Sequence, residues 1–225
     1  MKLIIVSGPW SSGTTAVAGI LASLGYTGFG PYLQIIDQRF SNSFELIPFR
    51  DLVLRLASEQ TLRLTVSSVD PIHDELTRFS QQVIEQQYGA YDPGRSPPLF
   101  LKYPLAALLL PWLAEHFELR QLLVGRPLAE IEATRVRRNW APQYGAHGAR
   151  ELYPLLLTAT LEKAIPTEVI HYAELLQRPE PAIRSIARFC GHDGTEEQAR
   201  QALQFIEGSV AFRTAAEAAS TSLPD

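Results

Sequence analysis

The sequence predicts an α/β fold, a three-layer α/β/α domain with a central and mostly parallel sheet. Four short apolar segments have the composition of buried strands, and helical patterns lie between them. Strands that alternate with helices in this way favour a parallel sheet covered on both faces. The 225 residues, 46% of them hydrophobic, fit a single globular domain over residues 1–225. The four predicted strands are residues 2–8, 99–104, 119–126 and 167–172.

The first half of the chain contains one well-defined strand-helix pair. The strand "KLIIVSG" ends in glycine, and residues 13–25 follow with apolar residues at helical spacing and Gly25 as a stop. Helical patterns return in residues 48–60 and 71–88, whereas "LRLTVSS" between them is compatible with a strand or a loop. "YDPGRSPP" has the composition of a turn and leads to the second predicted strand.

The second half alternates more regularly. Residues 105–117 are predicted to be a helix with a proline inside it, and residues 127–140 a helix with Pro127 at its first position. The small, polar tail at about 214–225 is predicted to be frayed. Two more helices are predicted after the fourth strand, at 179–191 and 196–208.

Charge and cysteine content exclude several classes of protein. The formal net charge of −4 lacks the basic surplus that is typical of nucleic-acid binding. The only cysteine, Cys190, excludes an intramolecular disulfide and a cysteine zinc cluster. The apolar run at the N-terminus is too short for a signal peptide, and no apolar stretch reaches ~20 residues. We therefore expect a cytoplasmic protein without a membrane span, and the sequence does not indicate its oligomeric state.

The segment "GPWSSGTT", residues 8–15, connects the first strand to the first helix and predicts an anion site. In open parallel sheets, ligands bind beyond the carboxyl ends of the strands. Amides at a helix N-terminus lack intrahelical partners and favour anions. Gly8 and Gly13 allow close approach of the backbone, and the simpler alternative is an ordinary helix cap. Four hydroxyl side chains add donors: Ser11, Ser12, Thr14 and Thr15.

The segment is not a Walker loop. It lacks the lysine before the Ser/Thr, and no predicted strand ends in the aspartate that such sites use for magnesium. Nucleoside triphosphate hydrolysis is therefore disfavoured, and no metal site is predicted.

The chain contains, in this order, the segments "SSGTT", "LFLKYPLAALLLPWLAEHF", "LLVGRPLAEIEATRVRR" and "VIHYAELLQRPEPAIRSIARFCG". Together they resemble the sulfotransferases that use 3′-phosphoadenosine 5′-phosphosulfate (PAPS). "SSGTT" is similar to the family's 5′-phosphosulfate loop, (Lys/Arg)-Ser-Gly-Thr-Thr/Ser, and "LFLKYPLAALLLPWLAEHF" resembles its Lys-x-Pro strand and following helix. "LLVGRPLAEIEATRVRR" is similar to the 3′-phosphate segment, in which a hydroxyl residue follows the arginine by eight positions. "VIHYAELLQRPEPAIRSIARFCG" resembles a strand with Tyr-Glu-Asp-Leu, then a proline and a helix. Among the family, the short bacterial-type members are the most similar.

The resemblance implies a P-loop-like fold and a reaction. A sulfuryl group would pass from PAPS to a hydroxyl acceptor, either a small molecule or a carbohydrate, and leave 3′,5′-ADP. The resemblance assigns Arg126 and Thr134 to the 3′-phosphate, with Arg135, Arg137 or Arg138 as a further contact or as a solvated helix face. Tyr172 would stack on the adenine. The 5′ end of the donor is assigned to Ser11, Ser12, Gly13, Thr14 and Thr15.

The sequence departs from the family at the charged loop position, where Ser11 stands in place of lysine or arginine. Lys102, at the end of the second strand, is predicted to supply that charge to the leaving group. The alternatives are that Lys102 is a strand-end residue in water, or that it forms a structural ion pair with Glu45. Glu45, in "FSNSFEL", is the first candidate for the base that takes the acceptor's proton, and His73 and Asp37 are the other candidates.

Two other functions stay open at this point. A nucleotide-binding protein without turnover is favoured by the loss of the loop cation at Ser11. A small-molecule kinase with a degenerate phosphate loop would depend on magnesium.

Overall fold

The computed structural model describes residues 2–26, 30–34, 43–81, 99–191 and 194–221. The strands of these ranges are β1 (Lys2–Ser7), β2 (Ala57–Ser58), β3 (Arg63–Leu64), β4 (Leu99–Lys102), β5 (Glu118–Gly125) and β6 (Thr167–His171). Their α-helices are α1 (Thr14–Ser23), α2 (Ile47–Leu56), α3 (Asp70–Phe79), α4 (Leu110–His116), α5 (Leu128–Arg137), α6 (Ala146–Glu162), α7 (Tyr172–Gln177), α8 (Pro179–Cys190) and α9 (Glu196–Thr221).

The central sheet has four parallel strands in the order β4-β1-β5-β6. β1 comes first in the chain but lies inside the sheet, where Val6 pairs with Lys102 of β4 and with Leu122 of β5. Because parallel strands end at the same edge, the carboxyl ends of β4, β1 and β5 lie side by side. This edge carries the segments that the sequence assigns to the ligand.

Side chains alternate between the two faces of the sheet. In β1, Leu3 and Ile5 pack into one apolar core with α2, α3, α4 and α6. Ile4 and Val6 pack into a second core with α1, α8 and α9 on the opposite face. The chain is therefore a three-layer α/β/α structure, and the predicted fold class is confirmed.

The helices differ from the predictions at prolines. Residues Pro104–Leu109 form a 3₁₀ turn, and α4 begins only at Leu110, so that Pro111 lies in its first turn rather than inside a helix. A proline is tolerated there because the first turn of a helix needs no N–H donor from it. Pro127 is the N-cap of α5 and not its first residue.

Three helical segments differ from the predicted elements, and one of them is α7, which begins at Tyr172, where the fourth predicted strand ends. α6 has no counterpart among the predicted elements, since Pro154 and a run of three leucines obscure its periodicity. α9 continues to Thr221, beyond Gly208, where the sequence predicts the last helix to end. The alanine-rich composition of the added segment favours a helix. The ambiguous "LRLTVSS" contributes β3, which pairs antiparallel with β2. In the described ranges, no helix has the length and apolarity needed to cross a membrane.

Candidate active site

A cleft opens at the carboxyl edge of the sheet, where β4, β1 and β5 end. It brings together residues from the loop after β1, from the ends of β4 and β5, and from α1, α5 and α7. The lining residues are Trp10, Ser11, Gly13, Thr14, Thr15, Ala16, Ser43, Glu45, Lys102, Pro104, Arg126, Thr134, Arg137, Arg138, Trp140 and Tyr172.

The loop of residues 8–13, which we call the phosphate loop, has a backbone that requires glycine at two positions. Gly8 has φ +149°, and a Cβ there would lie 2.8 Å from Ser12 Oγ and 3.0 Å from the carbonyl oxygen of Val124. Gly13 has φ +106° and directly precedes α1, where a Cβ would overlap the ring of Tyr172. Both positions combine a left-handed φ with close packing, which explains the spacing of the two glycines.

The N-terminus of α1 faces the cleft. Its first turn contains no acidic residue, and among the described residues no side chain caps the helix. Its first amides therefore present partial positive charge to the cleft. Thr14 and Thr15 line the cleft beside these amides, as the sequence predicts for an anion site.

The side chains of Ser11 and Ser12 do not both face the cleft. Ser11 has φ +64°, donates its hydroxyl proton to the carbonyl oxygen of Tyr144 over 3.2 Å, and lines the cleft. Ser12 is fully buried and is not among the lining residues. Within the described part of the chain, Ser12 Oγ has no hydrogen-bond partner. Ser12 thus packs under the loop against Gly8.

Lys102 and Glu45 form a buried ion pair on one side of the loop. Lys102 Nζ lies 2.8 Å from Glu45 Oε1, and it also donates to Thr15 Oγ1 at 3.1 Å and to the carbonyl oxygen of Ser43 at 2.9 Å. Lys102 is 3% and Glu45 8% exposed. A buried ammonium requires such partners, because transfer of an unpaired charge out of water is very costly.

The pleat of β4 explains where this lysine points. Leu101 packs into the core shared with α2, while Phe100 packs into the core shared with α1. Since side chains alternate along a strand, Lys102 follows Phe100 to the α1 face and reaches Thr15. β4 ends there because Pro104, which opens the 3₁₀ turn, cannot extend the hydrogen-bond ladder.

Arg126 and Thr134 lie on the other side of the loop. Arg126 Nη1 donates to the carbonyl oxygen of Ser11 at 2.8 Å, and Nε donates to Glu130 Oε2 at 3.1 Å. Thr134 is buried and donates its hydroxyl proton to the carbonyl oxygen of Glu130 at 3.0 Å. Both residues line the cleft, together with Arg137 and Arg138. Arg135 instead pairs with Glu132 at 2.7 Å.

Tyr172, the first residue of α7, lies over the loop and does more than line the cleft. The guanidinium carbon of Arg126 is 4.8 Å from the centroid of its ring, and the same ring covers the backbone at Gly13. This cation–π contact fixes the direction of the Arg126 side chain.

Of the remaining candidates for the base, His73 does not line the cleft. His73, on α3, has its ring 5.2 Å from the ring of His116, at the end of α4. β5 starts two residues after His116, so this pair lies at the amino edge of the sheet, opposite the cleft. Asp37 is outside the described residues.

Sequence reasoning missed two tryptophans that line the cleft, Trp10 in the phosphate loop and Trp140 after α5. Trp10 packs edge-on against Tyr103 and Tyr144, with ring centroids 6.3 Å and 5.0 Å away. Arg138 lies over the ring of Trp140, 4.5 Å from its centroid. The position of Trp10 inside the glycine-bounded loop is the signal that could have identified it.

A metal centre was not predicted from the sequence. Among the described residues, there is no group of three His, Cys, Asp or Glu side chains that could hold a metal ion.

Comparison with known proteins identifies the fold. No family model and no curated protein matches the chain. A solved sulfotransferase of Mycobacterium tuberculosis matches it with a TM-score of 0.61 and 16% identity, over 90% of this chain and 70% of that one. The sulfotransferase domain of a Synechococcus olefin synthase matches with a TM-score of 0.52 and 17% identity, over 88% of this chain and 76% of that one. The chain has a sulfotransferase-like fold, as the ordered sequence motifs predicted.

Proposed function

We propose that the protein transfers a sulfuryl group from PAPS to the hydroxyl of a small molecule or carbohydrate. The observation that carries the proposal is the order of charges around the phosphate loop. Lys102 ends β4 on one side of β1, and Arg126 follows β5 on the other side. The loop and the N-terminus of α1, which has no acidic residue in its first turn, lie between the two cations. Strands two places apart in a sheet are separated by about 10 Å, which suits a nucleotide with anionic groups at both ends.

The donor end of the nucleotide belongs, in this proposal, to the Lys102 side. Thr14, Thr15 and the first amides of α1 bind the 5′-phosphosulfate. Lys102, held at the floor of the cleft by three partners, lies next to Thr15 and stabilises the charge that develops on the leaving phosphate. This assignment compensates for the absence of a basic residue at position 11.

Glu45 acts as the base in the proposed reaction. The acceptor oxygen attacks sulfur, the bond between sulfur and the bridging phosphate oxygen breaks, and the acceptor's proton passes to the Glu45 carboxylate. The 2.8 Å distance between Glu45 Oε1 and Lys102 Nζ supports this assignment, because the proposed base then lies beside the proposed cation. The bond electrons leave on 3′,5′-ADP.

The other end of the donor would bind Arg126 and Thr134, with Arg137 and Arg138 nearby. Arg126 is directed by its contacts to Tyr172 and Ser11, so its guanidinium is oriented before a ligand arrives. A 3′-phosphate gives this group of arginines an anion to bind.

A nucleotide-binding protein without turnover is the second candidate. It is favoured by the contacts of Ser11, whose hydroxyl and carbonyl both bind other parts of the protein and which brings no charge to the loop. In this case Lys102 and Glu45 form only a structural ion pair.

Single-turnover transfer of radiolabelled sulfur from PAPS separates the two candidates. The assay offers the protein a panel of alcohols, phenols and sugars, in buffers with magnesium and with a chelator. We expect magnesium-independent labelling of at least one acceptor and release of 3′,5′-ADP. Two separate measurements identify the alternatives. Tight binding of 3′,5′-ADP without any transfer would identify a binding protein. Phosphate transfer from ATP that requires magnesium would identify a kinase.

A further inference from the structure

A carboxylate outside the cleft joins two tyrosines. Glu59 lies in the turn between β2 and β3 and is half-buried. Its Oε1 accepts a hydrogen bond from the hydroxyl of Tyr103, and its Oε2 accepts one from the hydroxyl of Tyr144 over 2.8 Å. Hydrogen bonds to an ionised acceptor are shorter and stronger than neutral ones.

The two tyrosines come from segments that border the cleft. Tyr103 directly follows Lys102 and is 2% exposed. Tyr144 ends a 3₁₀ turn between α5 and α6, and its carbonyl oxygen accepts the Ser11 hydroxyl. The ring of Trp10 packs edge-on against both tyrosine rings. Each tyrosine thus connects Glu59 to a different part of the site.

Both phenols stay protonated over the physiological pH range. Burial, followed by the hydrogen bond to Glu59, raises the pKa of Tyr144 to about 12. The same two causes raise the pKa of Tyr103 well above its usual range. Both phenols therefore act as hydrogen-bond donors at neutral pH.

We propose that Glu59 is a positioning residue for the phosphate loop. The bridge from Tyr103 through Glu59 to Tyr144 holds the two rings that pack against Trp10, and Trp10 with the Ser11–Tyr144 hydrogen bond holds position 11 in its left-handed conformation. Ser11 is not a glycine, so this conformation needs support from its surroundings. Loss of the carboxylate releases Tyr144, then Trp10, and the loop amides lose their alignment toward the cleft.

The inference rests on the proposed nucleotide site, and one readout does not depend on that site. The sequence contains three tryptophans. In a Trp112→Phe/Trp140→Phe background, Trp10 is the only one left, and its fluorescence reports the packing of the loop. The second readout is calorimetric affinity for 3′,5′-ADP, measured in the otherwise natural chain.

Glu59→Ala is expected to shift Trp10 emission to longer wavelength and to weaken 3′,5′-ADP binding by roughly 10-fold. Tyr144→Phe should give the same changes at smaller size, since it removes one arm of the bridge. Glu59→Gln keeps the side-chain shape and one acceptor oxygen, and is used if Glu59→Ala does not fold. The matched control is Arg63→Ala, which removes the ion pair of the same hairpin with Glu151 and should change neither readout.

The outcomes separate the two hypotheses. Unchanged Trp10 emission in folded Glu59 variants overturns the positioning role, even if nucleotide affinity falls. Equal changes in the Arg63→Ala control also overturn it, because the hairpin as a whole would then be responsible. If the parent protein does not bind 3′,5′-ADP but the Glu59 variants still shift Trp10 emission, the proposed function fails and the positioning role stands.

Discussion

The two sides of the phosphate loop hold their cations in different ways. Lys102 is almost completely buried, and its partners are a carboxylate, a hydroxyl and a carbonyl oxygen. Arg126 extends across the loop, stacked on Tyr172; its side chain is 10% exposed, and the side chain of its acidic partner Glu130 is 44% exposed. The first arrangement suits a group that acts at one fixed point, and the second suits a group that binds a ligand arriving from solvent.

The helices that follow β1 and β5, α1 and α5, differ in the charge of their first turns. α1 has no acidic residue in its first turn, whereas α5 has Glu130 there, paired with Arg126. Negative charge in the first turn compensates the helix dipole. The two helices, which follow neighbouring strands, therefore differ in charge at their N-termini, since of the two only α5 carries a carboxylate in its first turn.

The largest effect is expected on the Lys102 side, from Glu45→Gln. If Glu45 is the base, turnover should fall by roughly 10²–10⁴ while affinity for 3′,5′-ADP stays close to that of the parent. Single-turnover sulfuryl transfer and calorimetry measure the two quantities. Glu115→Gln is the control, because Glu115 also pairs with a lysine, Lys163, but on the surface. Parental turnover in Glu45→Gln would leave the Lys102 pair as a structural feature.

Lys102→Met tests how much the buried pair contributes to stability. Removal of one partner leaves Glu45 as an uncompensated buried charge, which should lower the free energy of unfolding by about 3–5 kcal/mol. Urea titration measures this loss. The double variant Lys102→Met/Glu45→Leu should recover most of the stability but no sulfuryl transfer. Recovery of transfer in the double variant would exclude both residues from the chemistry.

The sequence predicted the loop and the strand ends at the carboxyl edge of the sheet better than it predicted the side-chain contacts at that edge. The glycine-bounded loop, the end of β4 at Lys102 and the end of β5 just before Arg126 follow from local patterns, because hydrophobic runs and glycines report local backbone structure. The Lys102–Glu45 pair was considered only as an alternative, and its partners are 57 residues apart along the chain. Composition cannot distinguish an ion pair of this kind from two separate surface charges.

Other parts of the site depend on tertiary packing that no local pattern encodes. Ser12 and Ser11 are adjacent hydroxyl residues, but the left-handed turn at Ser11 sends Ser12 into the interior. Glu59 connects to Tyr144 across 85 positions, and α6, which follows that tyrosine, was itself not predicted. The sequence around His73 did not exclude it as the base. Only the direction of α4 shows that His116, and with it the neighbouring His73, lies at the opposite edge of the sheet from the cleft.

Selectivity among nucleotides tests the role of the Arg126 side of the phosphate loop. We expect 3′,5′-ADP to bind more tightly than AMP or ADP by about 1.5–3 kcal/mol, the usual contribution of a hydrogen bond to a charged group. The reason is that Arg126, with Arg137 and Arg138 in the same cleft, has a phosphate to contact only when the 3′ position carries one. Calorimetry with the three nucleotides measures the difference. Equal affinities would remove the 3′-phosphate from the proposal.

The smallest effect is expected from Thr134→Val, which removes a single hydroxyl from the same side. Thr134 is buried, and its hydroxyl now donates to the carbonyl oxygen of Glu130, one turn earlier in α5. Bonds of this type add little to helix stability, so the nearly isosteric valine should leave the free energy of unfolding almost unchanged. Binding of a 3′-phosphate would redirect the hydroxyl proton to the ligand. The loss of that bond should weaken 3′,5′-ADP binding by about 0.5–1.5 kcal/mol and leave AMP binding as it is.

Ser23→Ala is the matched control, since Ser23 donates to the carbonyl oxygen of Gly19 at the far end of α1. An equal loss for AMP would show that Thr134 acts through the geometry of α5. No loss for either nucleotide would assign the 3′-phosphate to the arginines alone, and the two sides of the loop would then differ only in which cation they present.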